Sequence, residues 1–279
     1  MRPRAPIVNV RRPVSRVFAL LVVLVGTAVA ALPGGQTPPA PAVLARVLTY
    51  NIHHAEGVDG TLDLDRIARV IRSVQPDLVA LQEVDRRATR SSSIDQPAEL
   101  GRLTGLTADF GANIPLQGGE YGNAVLSRWP IVRSANHRLP NRDNGEQRGV
   151  LEVHLEAPGT RTSVVLWATH FDHRSNDEER RASAEAIEAR IREQPDVPAI
   201  LAGDLNDVPG SPTLATLGQS WVRTNTDILP TIPAGQPRRQ IDYVLVRPAR
   251  RWRVLETRVL DEAVASDHRP LLAVLELLP

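Results

Sequence analysis

Cysteine and lysine are absent from this 279-residue chain and aromatic residues are scarce, and these shortages limit the kinds of site and surface that it can form. It has no cysteine, which excludes disulfides, zinc-thiolate sites and a thiol nucleophile. It has no lysine, so all 33 basic residues are arginine, which together with many Ala and Pro residues indicates a compositional bias. Aromatic residues are only 4% of the chain, and no aromatic membrane-inserting hairpin is evident.

The N-terminal segment, residues 1–42, has the composition of an export signal or an anchor. Five arginines and no acidic residue precede an apolar run over residues 17–32, and a Pro-rich linker follows. The run is short for a membrane span and long for a signal core, so a cleaved signal and a retained anchor both stay open. A buried core helix is a third, weaker alternative. We predict an extracytoplasmic protein, either secreted or held at the membrane by this segment.

The charge balance of the remaining chain argues against a nucleic-acid partner. The first 31 residues hold five of the 33 arginines and none of the acidic residues, which leaves 28 arginines against 32 acidic residues, a net charge of about −4. Proteins that neutralise nucleic-acid phosphates usually carry a basic excess. A nucleic-acid substrate is therefore not favoured, although it stays open.

The rest of the chain, residues 43–279, reads as one α/β domain in which short apolar runs far outnumber helical patterns. So many strands with few helices favour two packed sheets with helices outside over a single doubly wound sheet. A helix is predicted from about Leu64 to Val74 with Asp63 or Thr61 as its cap, and a second one over residues 176–194. The predicted strands are 43–50, 78–84, 122–127, 131–136, 149–155, 163–169, 199–202, 241–246, 253–259 and 271–277.

Polar side chains stand at or near the ends of several of these strands, where a core strand does not require them. Carboxylate and amide oxygens with imidazole are what a hard divalent ion and a general base need. Each residue alone has an ordinary explanation, such as a turn or a salt-bridged strand end, but together they require many coincidences. The set is Asn51, Glu83, His170, Asp172, His173, Asp204, Asn206, Asp242, Asp267 and His268.

Other catalytic motifs are absent from the sequence. It contains no calcium-binding loop of the helix–loop–helix type, no HExxH zinc helix, no Walker A loop and no GxSxG elbow. His53, His54 and Glu56 are weaker metal candidates, because side chains beyond a strand end more often line a pocket or face solvent.

Seven segments occur together in an order that resembles the endonuclease/exonuclease/phosphatase superfamily with the deoxyribonuclease-I-like fold. They are TYNIH, LQEV, YGNAVLSRWPI, THFDH, GDLND, IDYVLV and SDHRP, between about residues 43 and 278. The resemblance implies a four-layer α/β sandwich with two mostly antiparallel sheets flanked by helices. It also implies hydrolysis of phosphoesters with Mg²⁺ or Mn²⁺.

By the same resemblance, Glu83 is expected to be the main metal carboxylate, with Asn51 beside it and Asp267 assisting directly or through water. Asp204 and Asn206 are expected to position the attacking water and the phosphate.

His268 is expected to act as the general base, oriented by Asp242. His170 is expected to donate a hydrogen bond to the phosphoryl oxygen or to protonate the leaving group. The expected substrate contacts are Tyr121, Asn123, Arg148 and Asp172, of which the first two could instead pack a strand and Arg148 could be a surface charge.

Export and an acidic domain favour a lipid-derived or small phosphoester, either a diester or a monoester. The alternatives are a secreted nuclease and a catalytically silent binding module of the same fold. No protein partner is inferred.

Overall fold

The computed structural model describes residue 1 and residues 42–142, 144–160 and 162–279. The prediction of an N-terminal signal or anchor rests on residues 2–41, which lie outside the described residues. No helix within the described ranges has the length and apolar character needed to cross a membrane. The strands and helices below belong to one compact unit, Pro41–Pro279.

Twelve strands and four α-helices are found in the described residues. The strands are β1 (Val43–Asn51), β2 (Leu78–Arg86), β3 (Thr107–Leu116), β4 (Gly119–Ser127), β5 (Ile131–Arg138), β6 (Gly149–Glu156), β7 (Ser163–His170), β8 (Ala199–Asp204), β9 (Val222–Arg223), β10 (Asp242–Arg247), β11 (Trp252–Val259) and β12 (Leu271–Leu277). The α-helices are α1 (Leu64–Ser73), α2 (Gln96–Thr104), α3 (Glu178–Ile191) and α4 (Pro212–Leu217).

The strands form two six-stranded sheets. Sheet one has the order β11-β12-β1-β2-β4-β3, and sheet two has the order β5-β6-β7-β8-β10-β9. Among the described strands, β1 pairs with β2 and β7 pairs with β8 in parallel, and the other pairings are antiparallel. The central strands of both sheets are apolar on both faces, as expected for strands that are covered on each side.

Three apolar clusters give the four-layer arrangement. The middle cluster lies between the sheets and joins residues of sheet one such as Val47 and Ala80 to residues of sheet two such as Leu166 and Val244. A second cluster packs α1 and α2 on the outer face of sheet one, and a third packs α3 and α4 on the outer face of sheet two. The predicted sandwich of two packed sheets with helices outside is therefore confirmed.

Local signals account for the two predicted helices. α1 begins after Asp63, whose side chain accepts a hydrogen bond from the Arg66 backbone N–H at 2.8 Å, so Asp63 rather than Thr61 is the cap. α3 is shorter than predicted, but Ala184 and Ile187 are buried against sheet two as its apolar spacing indicates.

Four elements were not predicted from the sequence: β3, β9, α2 and α4. β3 is an edge strand whose residues are mostly half-buried, so its alternation is weak. α2 has Gly101 in its interior, which lowers its helix propensity, and its nine residues give only a short periodic pattern. β9 has two residues and α4 has six, too few for a periodic pattern. The predicted strand at residues 122–127 begins earlier, at Gly119.

Candidate active site

The site lies where the ends of central strands from both sheets meet. β1 and β2 run parallel, so their carboxyl ends bring Asn51 and Glu83 to one edge of sheet one. β7 and β8 also run parallel and place His170 directly beside Asp204 in register. β10 runs antiparallel to β8 and pairs Asp242 with Asp204. The topology therefore gathers residues that are far apart in the sequence.

Asn51 connects the two sheets through its side-chain amide. Its Nδ2 donates to Glu83 Oε1 at 2.9 Å and to Asp204 Oδ2 at 3.2 Å. Its Oδ1 accepts a hydrogen bond from the His53 backbone N–H at 3.1 Å, which fixes the orientation of the amide. Asn51 therefore presents its nitrogen, rather than its oxygen, to the two carboxylates.

Glu83 reaches this position because β2 contains a bulge. The pairing of β2 with β4 shifts register between Leu81 and Val84, and Glu83 has a φ of 58°. A left-handed residue in a bulge redirects its side chain away from the normal alternation of the strand. The strained backbone at Glu83 thus turns a half-buried carboxylate toward Asn51.

Asp242 and His268 form a buried carboxylate–imidazole pair. His268 Nδ1 lies 2.9 Å from Asp242 Oδ2, and Thr231 Oγ1 donates to the same oxygen at 2.5 Å. The other ring nitrogen, Nε2, lies 3.7 Å from Asp204 Oδ2. Burial disfavours the charged ring, but Asp242 and then Asp204 outweigh that effect and raise the pKa of His268 to about 10.

Asp204 is almost fully buried next to a second carboxylate. Loss of hydration and then repulsion from Asp242 raise its pKa from 3.8 to about 7, although His268 and two hydrogen bonds act in the opposite direction. One of those bonds comes from the Asn206 backbone N–H to Oδ1 at 2.8 Å. The cluster of Asp204, Asp242 and His268 therefore retains protons near neutral pH.

His170 is held by a buried arginine. Arg148 Nη1 lies 3.0 Å from His170 Nδ1, and because a guanidinium only donates, Nδ1 accepts and the proton sits on Nε2. That nitrogen lies 3.5 Å from Asp204 Oδ2, which can accept its proton. The amide nitrogen Nδ2 of Asn206 lies 3.0 Å away but is itself a donor, and it donates to the Phe171 carbonyl at 3.1 Å. Burial, and then the positive charge of Arg148, place the pKa of His170 well below its usual value. His170 is thus a neutral ring with an N–H at the centre of the site.

Arg148 is not a surface charge, since only 4% of it is exposed. It forms an ion pair with Glu146 at 2.8 Å and approaches His173 Nδ1 at 3.2 Å. Burial and the negative charge of Glu83 raise the pKa of Tyr121 well above 10. Tyr121 therefore stays protonated and can only act as a neutral hydroxyl.

Asn123 and Asp172 are also buried. Asn123 Nδ2 donates to the Gly149 carbonyl at 3.0 Å, whereas its Oδ1 has no hydrogen-bond partner within the residues that the structure describes. Asp172 Oδ1 accepts from the Arg174 backbone N–H at 2.8 Å. Asp172 is thus engaged with its own loop, and Asn123 keeps one unused acceptor.

Asp267 lies beside the cluster but contributes less to it. Its Oδ1 is 3.3 Å from Ser266 Oγ, and it belongs to neither of the two metal-sized groups found among the described residues. Its metal role stays a prediction, as do the roles of the other site residues.

Two hydroxyl residues of the site were not found from the sequence. Thr231 donates to Asp242, and Ser266 Oγ donates to the Asn51 carbonyl at 2.8 Å while accepting from the His268 backbone N–H at 3.2 Å. Threonine and serine are common in loops, so only the position of Ser266 beside Asp267 and His268 could have indicated a role.

The residues fit a divalent cation in two places. One group consists of Asp204, Asp242 and His268, and the other of His53, His54 and Glu83, with the ligand atoms of each group within 4.8 Å of one another. Asp242 Oδ1 is buried and has no hydrogen-bond partner in the described part of the chain. The carboxylates of these two groups lie close together, and a positively charged ligand such as a metal ion would balance their negative charge.

A two-sheet sandwich with a carboxylate, amide and imidazole centre at the strand ends is the architecture of phosphoester-cleaving hydrolases. Residues 48–268 match the endonuclease/exonuclease/phosphatase family, and the chain belongs to that family. Its members are hydrolases that act on phosphoester bonds, and they generally use divalent metals.

Individual relatives agree with this assignment. The uncharacterized protein YbhP of Escherichia coli K12 is 28% identical over 256 residues, which cover 83% of this chain and 96% of that protein. The crystal structure of an endonuclease/exonuclease/phosphatase from Beutenbergia cavernae is 32% identical, with a TM-score of 0.73, and covers 84% of this chain and 72% of the other. The mannosyl-6-phosphatase Bt3783 of Bacteroides thetaiotaomicron shares the fold, with a TM-score of 0.68 and 19% identity over 84% of this chain and all of the other.

Proposed function

We propose that this protein is an exported, divalent-metal-dependent phosphoesterase that hydrolyses a lipid-derived or other small phosphoester by attack of water. The observation that carries the proposal is the convergence of Asn51 and Glu83 from one sheet with Asp204, Asp242 and His268 from the other. A binding module has no need for a buried imidazole between two carboxylates.

The chain's own groups have distinct tasks in this proposal. His268 takes a proton from water, and Asp242 holds the ring through Nδ1 so that Nε2 faces the centre. Because Asp242 and Asp204 raise the pKa of His268, neutralising Asp204 by a proton or a bound cation brings that pKa down toward the working range. Asp204 and Asn206 orient the water and the phosphate.

The N–H of His170 donates a hydrogen bond to a phosphoryl oxygen, since a neutral ring holds this proton too tightly to protonate the leaving group. Arg148 keeps His170 in this tautomer and adds positive charge. A divalent ion held by Glu83, with Asn51 beside it, would polarise the phosphoryl group and stabilise the leaving oxygen. Mg²⁺ or Mn²⁺ is the ion proposed, with Asp267 assisting.

The proposed substrate class follows from charge and from the relatives. The acidic balance of the domain disfavours a polyanionic duplex. Bt3783, which has the same fold, is a mannosyl-6-phosphatase by name and so acts on a small phosphoester. Both facts support a small or lipid-derived substrate over nucleic acid.

The test is a substrate panel with the full chain. Bis-p-nitrophenyl phosphate, p-nitrophenyl phosphate, sphingomyelin, phosphoinositides and plasmid DNA are offered with Mg²⁺ or Mn²⁺ and with a chelator. We expect metal-dependent turnover of a small or lipid phosphoester that is lost in His268→Ala and kept in His137→Ala. His137 is a matched control because it pairs with Glu152 outside the site at 2.7 Å. Plasmid nicking lost in the same variant would replace the proposed substrate with nucleic acid, and binding without turnover would overturn the proposal.

A further inference from the structure

The turn that follows Asn51 is an unusual feature of the site. His53, His54 and Ala55 have φ values of 45°, 42° and 67°, so three consecutive residues with side chains are left-handed. Such backbone conformations are unfavourable and persist only where the surroundings enforce them. The turn stacks the two imidazole rings edge to face, with their centroids 4.6 Å apart.

Glu56 engages one nitrogen of each ring. His53 Nδ1 lies 3.0 Å from the Glu56 carbonyl oxygen, and His54 Nε2 lies 3.4 Å from the Glu56 carboxylate. Both of these partners are acceptors, so each ring donates to Glu56 and keeps its other nitrogen as an unprotonated acceptor. Metal-binding histidines almost always show this arrangement, with the second nitrogen bonded to a carboxylate or a carbonyl.

The remaining nitrogen of His54 has no hydrogen-bond partner among the described residues. His54 is 8% exposed, and its Nδ1 is buried without a hydrogen bond. A buried acceptor left unpaired is costly, which indicates that something positive or donating belongs beside it.

Glu83 lies opposite the two rings. One ligand atom from each of His53, His54 and Glu83 falls within 4.8 Å of the other two, close to the separation of ligands around a single ion. Asn51 Nδ2 donates a hydrogen bond to Glu83 Oε1 and so orients this carboxylate. Glu83 has a left-handed φ of 58°, as do both histidines. Three residues with left-handed backbones thus bring their side chains close together.

We infer that His53, His54 and Glu83 form a binding site for a divalent transition-metal ion, with Glu56 as the residue that orients both rings. Mg²⁺ prefers oxygen ligands, whereas imidazole nitrogen suits transition-metal ions such as Zn²⁺, and among the divalent transition-metal ions Mn²⁺ binds such ligands most weakly. The metal preference of the site is therefore set by two histidines that follow the strand end. This inference shares Glu83 with the proposed function, but it concerns binding and does not require hydrolysis.

The direct test is the spin-echo electron paramagnetic resonance of Mn²⁺ bound to the full chain. We expect coupling of Mn²⁺ to imidazole ¹⁴N in the wild type and its weakening in both His53→Ala and His54→Ala. Coupling that persists in these two variants but disappears in His268→Ala would place the ion in the Asp204 cluster and overturn the inference. A wild-type spectrum without nitrogen coupling would also overturn it, and that result does not depend on any variant folding.

Calorimetry gives a second readout. We expect Mn²⁺ and Zn²⁺ to bind more tightly than Mg²⁺, and Glu56→Ala to weaken Mn²⁺ binding about 10- to 100-fold, as is usual for a residue that orients ligands. His137→Ala, the matched histidine control, is expected to bind like the wild type. Tighter binding of Mg²⁺ than of Mn²⁺ would contradict the inference.

The two proposals fail separately. Nitrogen-coupled Mn²⁺ in a protein that cleaves no phosphoester would leave this site standing and remove the proposed function. Metal-dependent cleavage by a protein whose bound ion has only oxygen ligands would support the proposed function and overturn the histidine site.

Discussion

Replacing Asp204 by asparagine should make the folded protein more stable while it destroys activity. Asp204 is buried beside Asp242, and its pKa in the folded state is raised from 3.8 to about 7. The folded state therefore binds this proton more tightly than the unfolded chain does. The asparagine side chain has nearly the same shape but never carries the charge.

The magnitude follows from the linkage between proton binding and folding. A pKa difference of about three pH units corresponds to about 4 kcal/mol of unfolding free energy. Below about pH 4 the protonated Asp204 carboxyl does not lower the free energy of unfolding. As the pH rises toward 7 the free energy of unfolding of the wild type falls, and above about pH 7 the full reduction is present. In the variant, the side-chain NH2 of the new asparagine faces the Nδ2 of Asn51, which is also a donor, so the hydrogen bond from Asn51 is lost. This loss reduces the gain in unfolding free energy by about 1 kcal/mol. The net gain expected at pH 8 is thus about 3 kcal/mol.

Urea unfolding of the full chain from pH 4 to pH 8 measures this gain. A chelator is present throughout, because a bound ion would stabilise the folded wild type by mass action. Asp227→Asn is the control, since Asp227 is exposed and no pH-dependent gain is expected there. A variant that is less stable than the wild type at pH 8, or a gain that does not grow with pH, would refute the reasoning about the buried carboxylates.

Three further substitutions probe other parts of the site. His268→Ala should lower phosphoester hydrolysis about 10²- to 10⁴-fold with unchanged circular dichroism, and a smaller loss would exclude it as the base. Gly203→Ala should lower the free energy of unfolding by about 1–3 kcal/mol in urea titrations, because its Cβ would collide with the Thr169 carbonyl of the neighbouring strand; full stability would contradict that packing. Arg148→Lys should lower the hydrolysis rate about 10- to 100-fold, because an ammonium can replace Nη1, which contacts His170 and Glu146, but not Nη2, which reaches His173. Wild-type kinetics would assign Arg148 no positioning role.

Much of the fold was predictable because its central strands combine apolar runs with abrupt polar ends. β1, β2, β8 and β12 are buried on both faces, so their sequences stand out, and the polar residues at the ends of the first three and before β12 mark one edge. β3 and α2 lacked such signals because an edge strand and a short helix with an interior glycine depend on their neighbours.

The details of the site depended on tertiary structure. Nothing in the sequence indicates that Glu83 lies in a bulge or that the amide of Asn51 turns its nitrogen to the carboxylates. The pairing of Arg148, the residue before β6, with His170 at the end of β7 could not be deduced from local pattern. The histidine pair was noted only as a weaker metal candidate, because its orientation by Glu56 needs three left-handed residues that sequence statistics do not foresee.

The amide of Asn51 donates to one carboxylate from each sheet, so the geometry of the active site depends on how the two sheets are aligned. A core substitution between the sheets that lets them slide slightly would separate these acids without altering any site residue. Catalytic rate would then decline before spectroscopic unfolding becomes visible. Heat inactivation of such variants is expected to precede melting, and strengthening the layer between the sheets would protect activity more than overall stability.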